Sequence, residues 1–332
     1  MTTKVNVDNF YVGSKWEALK WDFKRRHPFS FLVNRLQWYH YPKTGSVPKF
    51  PLHVDFESCA ACDLHCPMCF RERADYSGTS MKTMKLDLFK KGIDECVKHN
   101  LYSIRLSWRG ESTVNPHLAE MVHYAKEKGI KEVSFFTHGG KLEGKLVEEL
   151  VRAGTDWITI SVDDLGEKYD KIRAPLTFEG TVERIKNLRN LRDKIGGGFP
   201  RIRINGVWDD DKGTNWFNEM HKVFSPLVDY MTFTPEYKHD GSPIKMRENF
   251  TCQYPFQRIS VMWDGVIPLC LADKHPQHVL GNLNEETIYE IWHGEKMQEA
   301  RILHAEHKAD QLAPCRVCYR SHTRQVGNVQ VK

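Results

Sequence analysis

"FESCAACDLHCPMCF", residues 56–70, places Cys59, Cys62, Cys66 and Cys69 within eleven positions. Thiols this dense ask for a metal, and two readings of the spacing compete. Read as C-x2-C followed by C-x2-C, the four would tie a zinc knot. Read as Cys62, Cys66 and Cys69 in a C-x3-C-x2-C trio, three would hold an iron–sulfur cubane and leave its fourth iron open. The stretch directly follows "FPLHVDFE" (50–57), a β-strand pattern, so the thiols sit at that strand's C-terminal end, where α/β barrels carry their active sites.

Working outward, strands and helices alternate. Strand patterns recur at "LYSIRLSW" (101–108), "EVSFFTH" (132–138), "WITISVD" (157–163), "PRIRINGVW" (200–208) and "VDYMTFTP" (228–235). Between them lie helical stretches, among them a stripe of Leu86, Phe89, Ile93 and Val97 and two helices ended by Gly129 and Gly154. Such βαβ repetition predicts a parallel sheet with helices outside. Six strands fall short of eight, so the expected fold class is α/β, a partial (β/α)6 TIM-like barrel. After residue 238 the rhythm changes. "QRISVMWDGVIPLCLA" (257–272) reads as a β-hairpin turning at Asp264-Gly265, followed by a helix and a cysteine-bearing tail: a small α+β module. The expected divisions are an N-terminal strap at 1–50, partly helical around Phe29, Phe31, Leu32 and Leu36; the barrel at 51–238; the module at 239–325; and a tail at 326–332.

The bulk properties narrow the class. At 332 residues with 27% charged and 40% hydrophobic side chains, the chain reads as a globular protein with a sizeable core. No apolar run approaches the ~20 residues of a membrane span, and the N-terminus lacks a secretory pattern, so a cytoplasmic location is expected. In that reducing compartment nine cysteines favour metal binding over disulfides. A net charge of +5 suits anionic partners but argues little for nucleic acid. The basic and aromatic segment "KWDFKRRHPFSFLVNRLQWYHYPK" (20–43) reads better as a strap on the main domain than as a lipid or nucleic-acid contact.

A second cysteine group, Cys252, Cys270, Cys315 and Cys318, falls in the C-terminal module. Four thiolates saturate an iron–sulfur cluster, and zinc accepts them equally. Here the chain resembles a family. "CDLHCPMC" after a first strand is similar to the signature of the radical S-adenosylmethionine (SAM) enzymes. "SWRGES" (107–112) resembles their Gly-Gly-Glu motif, with Arg109 in place of the first glycine. "SVDD" (161–164) and "YDKIRAPLTFEGTVERI" (169–185) follow in the family's order. The spacing Cys252-x12-Gly265-x4-Cys270, then Cys315-x2-Cys318, resembles the SPASM/twitch extension that carries auxiliary clusters. With no cysteine after Cys318, one auxiliary cluster with four protein ligands is implied, as in the shorter twitch arrangement of aminocyclitol dehydrogenases.

The resemblance implies two [4Fe–4S] clusters and S-adenosyl-L-methionine. The first cluster would be held by Cys62, Cys66 and Cys69, the second by the C-terminal four. Met68, Gly110, Glu111, Ser161, Asp163 and Arg173 would bind SAM, with Glu111 accepting from its ammonium and Arg173 pairing with its carboxylate. Reductive cleavage would give a 5′-deoxyadenosyl radical that abstracts a substrate hydrogen atom, and the auxiliary cluster would pass an electron. The implied partners are a small-molecule substrate, such as a sugar or aminocyclitol undergoing oxidation or epimerisation, and an external one-electron reductant such as flavodoxin or ferredoxin. Modification of a ribosomally made peptide is the enzymatic alternative. A zinc-stabilised nucleic-acid-binding protein is the alternative from another class, and it leaves "RGES" and "SVDD" unexplained. Strand ends offer Asn205, Trp208, Asp209, Glu236 and Tyr237 as substrate contacts. Cys59 is either a bystander or a hydrogen-atom donor, and Cys96 a core thiol.

Overall fold

The structure is a computed structural model that describes residues 10–11, 23, 25–69, 82–208, 212–236 and 246–321. A parallel sheet organises it. Its strands are β2 (His53–Phe56), β3 (Ser103–Arg105), β4 (Glu132–Thr137), β5 (Trp157–Ser161), β6 (Arg201–Trp208), β7 (Tyr230–Pro235) and β8 (Arg258–Val261). A two-residue strand, β1 (Phe10–Tyr11), pairs antiparallel with β7, and the spatial order is β1-β7-β6-β5-β4-β3-β2-β8. The parallel strands number seven rather than six. The extra one is the first limb of the expected hairpin: β8 runs parallel to β2, pairing His53 with Arg258 and Phe56 with Val261. The turn at Asp264-Gly265 is present, with Gly265 at φ +94°, but its second limb, β9 (Val266–Pro268), pairs instead with β10 (Val279–Asn282).

From β2 to β7 each strand is joined to the next by helices that bury an apolar stripe against the sheet's outer face. In α2 (Leu86–Lys98) the buried side chains are Phe89, Ile93 and Cys96, so Cys96 is a core thiol; burial pushes its pKa well up and keeps it protonated. Helices α3 (Leu118–Glu127) and α4 (Gly144–Arg152) end two residues before Gly129 (φ +104°) and Gly154 (φ +89°), where the left-handed backbone favours glycine. Then follow α5 (Gly166–Ile172), α6 (Phe178–Ile195) and α7 (Thr214–Phe224). Val133, Phe135, Ile158, Ile160, Ile202, Ile204 and Phe233 face these helices, each fully burying a side chain worth about 1.5–3 kcal/mol.

The N-terminal strap is a longer helix than its apolar residues suggest: α1 spans Pro28–Thr44. It closes the barrel floor, the end away from the cysteine loop. Trp38 packs edge-on to His53 with the Arg258 guanidinium 4.8 Å from its ring, and Gln257 Nε2 donates to the Trp38 carbonyl at 2.7 Å. Just before α1, Arg25 pairs with Glu132 and stacks on Phe31. The C-terminal segment adds α8 (Ile288–His293), α9 (Glu295–Ala305) and α10 (Ala313–Arg316). The amide N–H groups of Ile288 and Tyr289 at the start of α8 donate to Glu95 of α2 at 2.8 and 2.7 Å. No helix among the described residues is long and apolar enough to cross a membrane.

Candidate active site

The C-terminal strand ends bring the first cysteine group and the expected SAM motifs together. The cysteine loop follows β2, and the 107–112 segment lies directly on it. A Cβ on Gly110 would stand 2.5 Å from the Cys59 carbonyl oxygen and equally close to that of Ala61, so only glycine fits. The Glu111 N–H donates to the Ala61 carbonyl at 2.7 Å, pinning motif to loop. The Glu111 carboxylate turns inward. One oxygen accepts from the Thr113 N–H (3.0 Å), the Thr113 hydroxyl (2.6 Å) and the Thr137 hydroxyl (2.6 Å); the other accepts from the His138 N–H (2.8 Å). Three donors thus meet one oxygen and one meets the other, with His138 Nε2 3.5 Å from the second, so the fold fixes the orientation of this carboxylate at the strand ends.

His138, at the end of β4, carries no signal in the motif pattern. Its Nδ1 accepts from the Gly140 N–H at 3.0 Å, which leaves Nε2 to carry the proton toward Asp63, 2.8 Å away inside the cysteine loop. Cys62 Sγ, an Asp63 oxygen and a His138 nitrogen lie within 4.8 Å of one another. Cys59 is 1% exposed, and its sulfur accepts from the Ala61 N–H at 3.3 Å, which makes it part of the loop's scaffold. Across the mouth, Arg173 Nε donates to Asp163 at 2.7 Å, and the Val207 N–H donates to the other Asp163 oxygen at 2.9 Å. Burial alone would lower the Arg173 pKa; Asp163 and the nearby Cys66 thiol raise it above its ordinary value. The two expected SAM ligands therefore meet each other. Ser161 stands opposite Asn205 in the β5–β6 register. Met68 lies in the described part of the loop, beside Cys69, whose N–H donates to the Cys66 carbonyl at 2.8 Å.

The substrate candidates divide. Asn205 faces the barrel axis, its Oδ1 accepting from Thr232 at 2.8 Å. Trp208 does not. Strand alternation puts it on the outer face, 2% exposed and 5.9 Å from Phe217, a core position. Glu236 continues β7 at the rim, its N–H donating to the Trp208 carbonyl. Asp209 and Tyr237 lie outside the described residues.

The second cysteine group is gathered by tertiary folding. Cys252, Cys270, Cys315 and Cys318 line one pocket with Phe250, Tyr254, Leu269, His304 and Arg320. Burial raises the pKa of all four thiols, to about 11 for Cys252, and Cys270 and Cys315 rise further beside their fellow sulfurs. Four thiols, two buried and two half-buried, facing one apolar pocket are held from ionising unless a cation compensates them, which is the chemistry of a metal centre. His304 borders it: Nδ1 accepts from the Cys252 N–H at 3.3 Å, and Nε2 lies 3.7 Å from Cys315 Sγ.

One clasp joins the two sites. Arg109 grips the fully buried Glu57 with both Nε and Nη2 at 2.6 Å, and its Nη1 donates to the Lys274 carbonyl at 3.1 Å. The neighbouring Trp108 Nε1 donates to the Leu271 carbonyl at 3.0 Å. The residue replacing the family's first glycine thus holds the loop that begins at Cys270.

Comparisons with known proteins agree with this geometry. The radical SAM superfamily profile matches residues 56–198, and the profile of the SPASM iron-sulfur cluster-binding domain matches 252–319. The chain is similar to the "tungsten-containing aldehyde ferredoxin oxidoreductase cofactor-modifying protein" of Pyrococcus furiosus, 25% identical over 76% of this chain and 83% of that one. It is also similar to a "probable GTP 3′,8-cyclase" of Methanococcus maripaludis, 30% identical over 62% and 71%. Two solved structures share the fold. BtrN in complex with AdoMet and 2-DOIA has a TM-score of 0.57 and 16% identity, covering 82% of this chain and 94% of BtrN. Streptococcus suis SuiB bound to precursor peptide SuiA has 0.58 and 14%, covering 88% and 75%. A cysteine trio at the first strand end, the motif segment seated on it and a second four-thiol pocket in the C-terminal segment share one chain, which belongs to the radical SAM superfamily, in the group with a SPASM domain, and uses SAM and iron–sulfur clusters.

Proposed function

We propose that the protein is a radical SAM oxidoreductase or epimerase acting on a polar small molecule, with residues 51–238 as its barrel and 239–325 as its auxiliary-cluster module. When bound, the first cluster and SAM supply a 5′-deoxyadenosyl radical, and the second cluster supplies one-electron transfer. The observation that carries this reading is the barrel interior. In β4 and β6 the residues facing the helices are buried, and those facing the axis are half-exposed. A TIM barrel fills its axis with branched apolar side chains; here the axis-facing positions include Ser134, Phe136, Ser161, Arg203 and Asn205, which stay partly exposed, and we take the space they line as the substrate chamber.

The chain's own residues divide the work. Cys62, Cys66 and Cys69 supply three ligands and leave one metal position for the cofactor. Gly110 brings the backbone of the 107–112 segment against that loop, which sets Glu111 beside it, where its second carboxylate oxygen would accept from the SAM ammonium. Arg173, kept charged by Asp163, stands at the mouth where the SAM carboxylate would lie. Because Cys252, Cys270, Cys315 and Cys318 supply every ligand of the second site, that site serves electron transfer and not substrate binding. The likeness to SuiB, solved with a precursor peptide, supports a peptide substrate as the second reading.

Anaerobic purification followed by iron and sulfide counting tests the proposal, with about eight irons expected per chain. Substitution of Cys62, Cys66 and Cys69 by Ala is expected to halve the iron and stop 5′-deoxyadenosine formation. Continued formation of 5′-deoxyadenosine by that variant would overturn the assignment. Adding either the small-molecule or the peptide fraction of a cell extract, and seeing which one accelerates 5′-deoxyadenosine formation, decides between the two substrates.

A further inference from the structure

Among the described residues, the barrel axis gathers more positive charge than carboxylates neutralise. Three guanidinium groups point into it from different strands: Arg105 of β3, Arg203 of β6 and Arg258 of β8. The central carboxylate is Asp55 of β2, fully buried, which takes Arg105 at 2.7 Å and Arg258 at 3.5 Å, with His53 Nε2 at 3.2 Å. Glu132 lies at the floor and is engaged by Arg25 and by the Tyr102 hydroxyl. Glu57, near the top, is held by Arg109. Arg203 has no carboxylate within salt-bridge distance among the described residues. Its Nε donates to the Thr159 hydroxyl at 2.9 Å, and its guanidinium lies 5.3 Å from the Phe136 ring and 5.7 Å from the Trp157 ring. Arg105 lies 5.6 Å from the same Phe136 ring, so both cations share one aromatic wall. Arg105 Nε, Arg258 Nε and Ser260 Oγ are buried without a hydrogen-bond partner.

An unsatisfied donor costs roughly 1–3 kcal/mol, and an uncompensated buried charge costs more. Burial pushes the Arg203 pKa down to about 10; Arg105 and Arg25 add to the fall, and Tyr230 and Glu132 oppose it. Even so the group stays cationic at neutral pH. A floor built only for stability would pair Arg203 with an acid or replace it with an apolar side chain. The excess cation instead lies on the axis-facing side of β6, half-buried, one inward-facing step below the Ser161–Asn205 pair, a depth of about 7 Å.

We propose that the chamber takes an oxyanionic substrate, its carboxylate or phosphate group seated on Arg203 with Arg105, Arg258 and Ser260 around it, so that the carbon to be attacked points up the axis toward Ser161 and the cysteine loop. This deepens the reading of the chamber as the substrate site and rests on it. Guanidinium forks match both oxyanions in geometry, and the aromatic wall holds the fork flat.

Calorimetric titration of the reconstituted, SAM-loaded protein with inorganic phosphate and, separately, with malonate tests the proposal and tells the two sources apart. Saturable binding of at least one anion is expected, weakened at least tenfold by Arg203→Met, partly restored by Arg203→Lys and untouched by Lys145→Met on the outer surface. Failure of both anions to bind the wild-type protein would overturn the proposal, as would an Arg203→Met variant that binds like wild type. Absent anion binding in a protein with two clusters and active SAM cleavage would sink the anionic substrate alone and leave the reaction class standing.

Discussion

His304 shows what one side chain can set. Its Nδ1 is committed to the Cys252 N–H, so the proton sits on Nε2, facing Cys315 Sγ. An N–H directed at a ligand sulfur stabilises the more negative, reduced state of a cluster held there. Taking that hydrogen bond as ~1 kcal/mol, His304→Leu is expected to lower the auxiliary-cluster midpoint potential by roughly 40 mV in an EPR-monitored redox titration. An unchanged potential would remove His304 from that role. Gly110 acts through what it lacks. Gly110→Ala forces a methyl group into the Cys59 and Ala61 carbonyls, an overpacking cost of about 1–3 kcal/mol, and is expected to reduce iron occupancy at the first site. Neither His304 nor His138 belongs to a motif legible in the chain. Gly110 does, although the reason for it, a carbonyl contact fifty residues away in sequence, appears only on folding.

Between elements, the Trp108–Arg109 clasp is the connection to test. Arg109→Leu leaves Glu57 buried without its cation, a loss of about 3–5 kcal/mol. At a few degrees per kcal/mol for a chain of this size, the unfolding temperature is expected to fall by about 10 °C, with Arg109→Lys falling less. If Arg109→Leu melts like the wild type, the clasp carries no stability. The strands also show where sequence reading stops. Alternation in "RIRINGVW" is visible in the chain, and it departs from the continuous apolar run of a parallel strand covered on both faces. That departure marks a polar axis, with Arg203 and Asn205 on one face and Trp208 on the other. The hairpin expectation erred for a related reason. "RISV" has the same pattern whether it pairs with its chain neighbour or with a distant strand, and β2 offered a free edge.

At the scale of the whole molecule, the barrel floor ties α1, β2, β3 and β8 through Asp55. Burial alone would raise its pKa, but Arg105, His53 and Arg258 outweigh burial and hold the carboxyl well below the usual range. A depressed pKa in the folded state contributes stability that is complete above the unfolded value, near 4, and is lost as pH falls toward the folded value. A decline in melting temperature below about pH 4 is therefore expected, flatter in Asp55→Asn; an identical acid profile in that variant would rule Asp55 out as its source. Through that network the N-terminal helix buttresses the barrel floor, and Trp38→Ala is expected to cost about 3–5 kcal/mol in chemical denaturation.

By itself the sequence determined the family. Its cysteine trio and motif segment lie in short local runs, where spacing along the chain is spacing in space, so Cys62, Cys66, Cys69 and Gly110 could be picked out without a fold. It determined the α/β alternation too, because side-chain periodicity is local. Tertiary structure decided the rest. It gathered Cys252, Cys270, Cys315 and Cys318 into one pocket, turned Glu111 inward, gave Arg109 a buried partner and, among the described residues, left Arg203 without a carboxylate. Charge balance inside a barrel depends on which strands become neighbours, and no single stretch of chain holds that information.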